Sequence, residues 1–312
     1  MSTALERIPP LVKKDSLVKR VIRYRQCYVF LFPTFLLLFV LNYYPAGSAL
    51  YHSFFNWNGA NVEVFVGFQN FVELLQDQNF HIAVSNVVRI TLMRLAIALT
   101  FPLLAATLIY RMQDQKKAYT YKVLFAVPMV VTQVVVFLIW KFIYTPNGGV
   151  LNTLLEALGL QTFQRTWLGD FRTALYSIVF VGFPWISGFQ MLIYLAGLQN
   201  ISVSIIEAST LEGVGSVRRF FMIELPLIAS QIKVIVILTV ITAVQGFVDV
   251  MVMTNGGPGK ATLVPGLLLY KNAMQYGKMG YASAIGTLLF VVILTLTYLN
   301  LKYMRSSNDN MG

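Results

Sequence analysis

Apolar residues run along this chain in long uninterrupted blocks, with polar and charged residues gathered into short stretches between them. Six blocks are each about 20 residues long, enough to cross roughly 30 Å of hydrocarbon as a helix: Tyr28–Leu50, Asn86–Ile109, Val123–Tyr144, Ala174–Leu195, Ser230–Val252 and Ala282–Tyr303. Lipid supplies no hydrogen-bond partners to a backbone, so spanning segments must be helices or strands of a closed barrel. The blocks are continuous, whereas a barrel strand alternates apolar and polar positions, so a barrel is excluded. The pattern predicts an all-α polytopic membrane protein with six transmembrane helices. It divides into a basic N-terminal segment at 1–27, a first span with its following loop at 28–85, a five-helix core at 86–303 and a tail at 304–312. Between the fourth and fifth blocks lies a polar, helix-forming insert.

Composition supports this class: 57% of residues are hydrophobic and only 12% charged, with a mean hydropathy of +0.66, far from the balance of a soluble domain. The placement of the charges is more informative than their sum of +11. One set of polar stretches carries Arg7, Lys13, Lys14, Lys19, Arg20, Arg23 and Arg25 at the head. It continues with Arg111, Lys116, Lys117 and Lys122, then Arg218 and Arg219, then Lys302 and Arg305. The alternate set carries only Arg165, Arg172, Lys260, Lys271 and Lys278. By the positive-inside rule both termini and the polar insert face the cytoplasm. The excess charge thus reports topology and attraction to anionic membrane lipid, and nucleic acid is not an expected partner.

Catalytic and metal chemistry find little support. Cys27 stands alone, and His52 and His81 lack neighbouring Cys or paired acids, so neither a disulfide framework nor a metal site is expected. No Ser-His-Asp grouping or carboxylate pair has a recognisable spacing. Gly256-Gly257-Pro258-Gly259-Lys260-Ala261-Thr262 has the flavour of a phosphate loop. Thr254 occupies the place of its first Gly, however, and Ala261 that of its Ser/Thr. The segment also falls on the outer side, so no nucleotide or other cofactor is expected on this chain.

The insert carries the strongest signal. Ser204 and Glu207 have the spacing of a capping box at the start of a short helix, Gly213 suits a left-handed exit, and a second helix from Ser216 should stop at Pro226. The sequence from Glu207 to Pro226 closely resembles the EAA loop of bacterial ABC importer permeases. The matching positions are Glu207, Ala208, Leu211, Gly213, Phe220, Ile223, Leu225 and Pro226, with Glu212 in place of the usual Asp. Ser209 and Val214 replace alanines by small or apolar residues. Further fragments are similar to carbohydrate-type permeases, specifically the first member of the sugar-permease pair. They are Pro33, Tyr44-Pro45, Ser53-Phe54, Trp57 and Val66-Gly67-Phe68-Gln69-Asn70-Phe71, then Trp140, Pro146, Gly148 and Leu151-Asn152. Distally they are Thr254-Asn255-Gly256-Gly257-Pro258, Thr262 and Gly280-Tyr281-Ala282-Ser283-Ala284.

The resemblance implies that the insert is a cytoplasmic lever seated in a cleft of an ATPase, with Glu207 orienting the contact and Gly213 permitting the bend. An amphipathic interfacial helix is the plainer alternative. The resemblance also implies a second homologous permease, a dimer of ATP-binding cassette subunits that use ATP and Mg, and an extracytoplasmic solute-binding protein. It implies a retained first helix, although the basic head, the apolar run and Gly47-Ser48-Ala49 could be read as a cleavable signal.

Five ionisable residues fall within the predicted spans: Arg89, Arg94, Lys141, Lys233 and Asp249. Arg89 and Lys233 are near span ends and should snorkel. Arg94 and Asp249 are deeper and should face protein or a wet cavity. Gln245 and Asp249 are four residues apart on one helical face. With Trp140, Tyr144, Trp185 and Gln190 they could offer a sugar its hydroxyl partners and aromatic faces. For any one of these residues, interface anchoring or structural pairing is the competing explanation. Pro102, Pro128 and Pro184 should kink spans two, three and four, for alternating access or for packing alike.

The expected function is therefore passage of a carbohydrate through the bacterial cell membrane as the permease subunit of an ATP-driven importer, with hydrolysis on another chain. An ion-coupled secondary transporter is the alternative, and it would call for internal repeats and several buried acids, of which only Asp249 is present. A membrane-embedded enzyme lacks a catalytic constellation.

Overall fold

The computed structural model describes residues 24–303. The charges from Arg7 to Arg23, Arg305, most of the 1–27 segment and the whole of the 304–312 tail thus lie outside the described residues. Two compact units divide the chain between Tyr51 and His52. The first contains most of helix α1, Arg25–His52, and none of its described residues is buried. Pro33 lies inside α1, and a five-residue π-turn, Phe39–Tyr43, precedes Pro45. A proline crowds the carbonyl four residues back and lacks the N–H to bond it. One extra residue in the preceding turn relieves that conflict without breaking the helix.

The second unit opens with a short antiparallel hairpin, β1 Phe55–Trp57 and β2 Glu63–Phe65. Buried Asn70, on helix α2 (Gln69–Gln76), donates to the carbonyls of Ser53 and Phe55, both at 2.9 Å. The hydrophobic blocks alone did not indicate this hairpin. The second span is longer than predicted: α3, Gln78–Ala98, and α4, Phe101–Tyr110, together count as one apolar helix, Gln78–Tyr110. Pro102 sits in the first turn of α4, where its missing N–H leaves no bond unmade. The last span is continuous, Met279–Tyr303.

The third, fourth and fifth blocks are not single helices, which corrects the expectation of six continuous spans. The third comprises α5, Gln115–Ala126, a 3-10 turn at Val127–Val130 holding Pro128, and α6, Gln133–Ile143, bent by 91° across the break. Pro128 ends one helix there; it does not merely kink it. After α7, Val150–Ala157, the fourth block divides into α8, Ala174–Phe180, and α9, Gly188–Gln199, separated by residues 181–187 and a cis Phe183–Pro184 bond. Two short helices follow, α10 (Val203–Leu211) and α11 (Ser216–Leu227), before the fifth block. That block divides into α12, Ala229–Gln245, and α13, Val248–Met253. A last short helix, α14 (Pro265–Tyr270), precedes the final span, α15 (Met279–Tyr303). Among the described residues, three helices are individually long and apolar enough to cross a membrane, and six spans result only if each of three bent pairs, α5 with α6, α9 with α10 and α11 with α12, counts as one.

Buried side chains form three apolar clusters. Met191, Tyr194, Leu198, Ala106 and Ile235 join α9, α4 and α12. Ile90, Ile178, Val250 and Leu267 join α3, α8, α13 and α14. Leu74, Phe80 and Ile285 form the third, between α2, α3 and α15. Outside them, large apolar side chains are exposed along α1, α4, α6 and α15. Such a surface is costly in water and neutral in lipid.

Candidate functional site

Two features stand out, a polar helical pair at residues 203–227 and a cavity where the broken helices meet. In the pair, α10 begins after Ser202, whose side chain does not cap the helix. Its hydroxyl instead lies 2.7 Å from that of Ser204. The capping box expected from Ser204 and Glu207 is therefore not formed, because Ser204 is already inside the first turn. The exit is as predicted. Gly213 has φ of +72°, its N–H reaches the Thr210 carbonyl at 3.0 Å, and the Val214 N–H reaches that of Ser209 at 3.0 Å. These are the two reversed bonds of a Schellman ending, which needs a left-handed residue that glycine supplies without strain. Helix α11 starts at Ser216 as expected but is not stopped by Pro226. A π-turn at Phe220–Glu224 absorbs the proline, and the helix ends at Leu227 with a 70° bend into α12.

Exposure divides the predicted loop residues into two sets. Glu207, Ala208, Leu211, Glu212, Gly213 and Pro226 are exposed, and Leu211 reaches 89%. Phe220 and Leu225 are turned inward against the first apolar cluster. Between these sets sits a residue that sequence reasoning missed. Glu224 is fully buried and bonded to Arg111 at 2.9 Å and to Arg219 at 3.2 Å. Arg111, at the end of α4, also donates to the Ser216 carbonyl at 3.1 Å, and Arg219 to the Thr210 hydroxyl at 3.1 Å. One carboxylate thus fastens α11 to α4 and, through Arg219, to α10. Both arginines had been read only as topology charges. The available signal was a lone Glu in the otherwise apolar run Phe220–Leu225.

The cavity has a volume of about 810 Å³ and is walled by all three of these block breaks: Pro128 and Val131, then Val181, Ile186 and Ser187, and Gly246 with Phe247. An adjoining space of about 350 Å³ reaches Trp185, Gln190 and Thr239. Breaking a helix frees backbone groups, and at membrane depth these are tolerated where they face protein or a wet cavity. Arg94 borders both spaces and pairs with buried Asp249, joining α3 to α13. Structural pairing was the competing expectation for Asp249, and Arg94 is its partner. Gln245 and Asp249 both line the larger space, although the predicted shared helical face is lost because the helix breaks between them at Gly246.

Gln190 donates to the Thr239 hydroxyl at 3.3 Å. Trp185 has φ of +58°, a conformation that costs a bulky residue about 1–3 kcal/mol. Its backbone N–H donates to the Gly182 carbonyl at 2.8 Å and its indole N–H to the Phe180 carbonyl at 3.2 Å. Its ring meets Phe101, Phe180 and Phe183 edge-on at 4.9–5.0 Å.

Trp140 and Tyr144 are not brought to the cavity. Tyr144 is buried, donating to the Ser177 carbonyl at 3.0 Å, and Trp140 packs against it and Phe180. Lys141 donates to the Val252 carbonyl and Lys233 to that of Leu301, both at 3.0 Å. Lys233 is thus an interhelical tether, where snorkelling was expected. No group of three or more potential metal ligands occurs among the described residues.

Comparison with known proteins assigns this architecture. The chain is 34% identical over 285 residues to the probable ABC transporter permease protein YurN of Bacillus subtilis, covering 90% of this chain and 97% of the relative. It is 32% identical over 265 residues to the diacetylchitobiose uptake system permease protein NgcF of Streptomyces coelicolor, covering 82% and 75%. The same fold occurs in the crystal structure of a bacterial ABC transporter involved in import of the acidic polysaccharide alginate. There the TM-score is 0.80 at 20% identity, over 93% of this chain and all of the matched one. Residues 98–306, which include both the helical pair and most of the cavity wall, match the family of binding-protein-dependent transport system inner membrane components. The chain belongs to that family and is a permease of an ABC importer.

Proposed function

We propose that this permease passes a carbohydrate, released by an extracytoplasmic solute-binding protein, through the cavity between its broken helices. The observation that carries the reading is a space of about 810 Å³ in which Arg94, Gln133, Ser187, Thr242, Gln245 and Asp249 interrupt an otherwise apolar wall beside the broken backbone. Sugar hydroxyls need such partners, and an apolar solute would not. The relative that acts on diacetylchitobiose supports the solute class. Trp185, Gln190, Gln245 and Asp249, with Arg94, contact the solute, and Trp140 and Tyr144 hold the wall behind. Among the described residues the buried acids are Asp249 and Glu224, and both are already paired with arginines, which leaves the competing ion-coupled mechanism no unpaired buried carboxylate to carry a proton or sodium ion.

Both termini and the 203–227 pair are cytoplasmic in this reading. The exposed residues Glu207, Ala208, Leu211, Glu212 and Gly213, with Pro226, meet an ATPase dimer that binds ATP and Mg. Phe220 and Leu225 carry its movement inward. A second, homologous permease completes the pore. Gentle solubilisation from native membranes should yield this chain with that permease and two ATPase copies, and uptake by the reconstituted complex should need ATP. An isolated chain that drives uptake from an ion gradient would overturn the proposal. Replacing Gln190 and Gln245 by Ala should slow uptake while leaving assembly intact.

A further inference from the structure

A second cavity, of about 610 Å³, lies toward the opposite end of α3 from the helical pair, on the side that the charge distribution makes external. Three cations reach it from three separate segments: Arg89 from α3, Arg172 from the stretch before α8 and Lys260 from the loop after α13. Among the described residues, none of the three side chains has an ion-pair partner. The nearby carboxylate of Asp170 accepts from the Arg172 backbone N–H at 2.8 Å. Converging like charges repel, so an arrangement of this kind favours an anion between them.

The cavity is built from fixed parts. Asn86, only 4% exposed, donates to the carbonyls of Lys260 at 3.2 Å and Leu263 at 3.0 Å, pinning that loop beside Arg89. The Phe171 ring lies against Gly259, where a Cβ would come within 2.9 Å of it. That contact ties the loop carrying Arg172 to the one carrying Lys260. Phe171 and Tyr176 line the same space with their rings exposed. Guanidinium groups bind oxyanions in bidentate fashion, while aromatic faces suit the C–H surface of a sugar ring. The cavity lies along the same two helices as the inner space near Arg94. Arg89 and Arg94 are five residues apart on α3, or about 8 Å along its axis. Leu175 and Tyr176 of α8 border the outer space, and Ile178 and Val179 the inner one.

We propose that this basic cavity binds an anionic saccharide, one bearing a carboxylate, sulfonate or phosphate, before it enters the inner space. The proposal rests on the carbohydrate reading above. The full chain in phosphatidylcholine nanodiscs provides the test, with trigalacturonate as probe and maltotriose as its neutral control. Trigalacturonate should bind at least about ten-fold more tightly than maltotriose, from the worth of charge-assisted hydrogen bonds. The triple variant Arg89→Gln, Arg172→Gln, Lys260→Gln should lose that preference, and added salt should weaken the wild type far more than the variant.

Arg172→Gln alone, at an exposed position, should lose part of it and answers the question if the triple variant misfolds. Equal binding by wild type and Arg172→Gln, or equal affinity for the two saccharides, overturns the proposal. So does loss of probe binding when phosphatidylglycerol is added, which would make a lipid headgroup the occupant. Binding of neither saccharide sinks the carbohydrate reading, and equal binding of both sinks this site alone.

Discussion

A carboxylate without exposed surface must have its charge met, and Glu224 is met by Arg111 and Arg219. Removing it leaves Arg111 and Arg219 without their carboxylate but partly in reach of solvent, so the cost falls below the ~3–5 kcal/mol of a fully buried pair. Glu224→Ala should therefore lower the unfolding temperature of the purified protein, and Glu224→Gln less so. An unchanged unfolding temperature for Glu224→Ala would show that the two arginines are not held by this charge. Arg94 and Asp249 form the second such pair, with Asp249 buried and Arg94 partly open to the cavity. Arg94→Gln and Asp249→Asn should each destabilise the protein more than half as much as the double variant does. Additive effects in that cycle would mean that the two side chains act independently. Neither the Arg111–Glu224 nor the Arg94–Asp249 contact follows from spacing along the chain, since the partners are 113 and 155 residues apart.

At the scale of elements, the decisive devices are places where helices stop. The left-handed Gly213 separates α10 from α11, and no atom lies near where its Cβ would be. Gly213→Ala should then cost only backbone strain, about 1–2 kcal/mol, read as a modest shift in thermal unfolding. Gly213→Pro removes the N–H that bonds the Thr210 carbonyl as well as the positive φ. It should uncouple ATP hydrolysis from uptake in a chain that still reaches the membrane. Normal coupling in a correctly assembled Gly213→Pro variant would remove this segment from the transmission path. The glycine and its consequence were legible in the sequence, because few other residues adopt that conformation cheaply. The path of α11 through Pro226 was not, because a π-turn depends on what the neighbouring helix allows.

At the scale of the whole molecule, exposed apolar side chains run along the long helices α1, α3–α4 and α15, so lipid is their natural solvent and delipidation should cause aggregation. In the proposed topology the 203–227 pair and the basic cavity lie on opposite sides of the membrane. In a Cys27→Ser background, Lys260→Cys should react with a membrane-impermeant maleimide in intact spheroplasts, and Glu212→Cys only after lysis. The reverse pattern would invert the topology. The apolar blocks located the helical segments correctly, but they could not show which would be continuous. Apolarity measures affinity for lipid and protein interior alike, and it says nothing about a bend of 91° between Val130 and Gln133 or a break at Gly246.

The sequence by itself determined the class of this protein, its helical segments, the polar insert and its left-handed glycine. Each of these rests on local chemistry: hydrophobic length, charge between blocks, and the φ that a glycine permits. Only the tertiary structure decided that three helix breaks share one cavity, that Arg94 meets Asp249, and that Glu224 locks the insert to α4. It also brought Arg89, Arg172 and Lys260 together. Those are contacts between distant segments, set by how helices pack, and packing is the one quantity that a hydrophobic pattern leaves open.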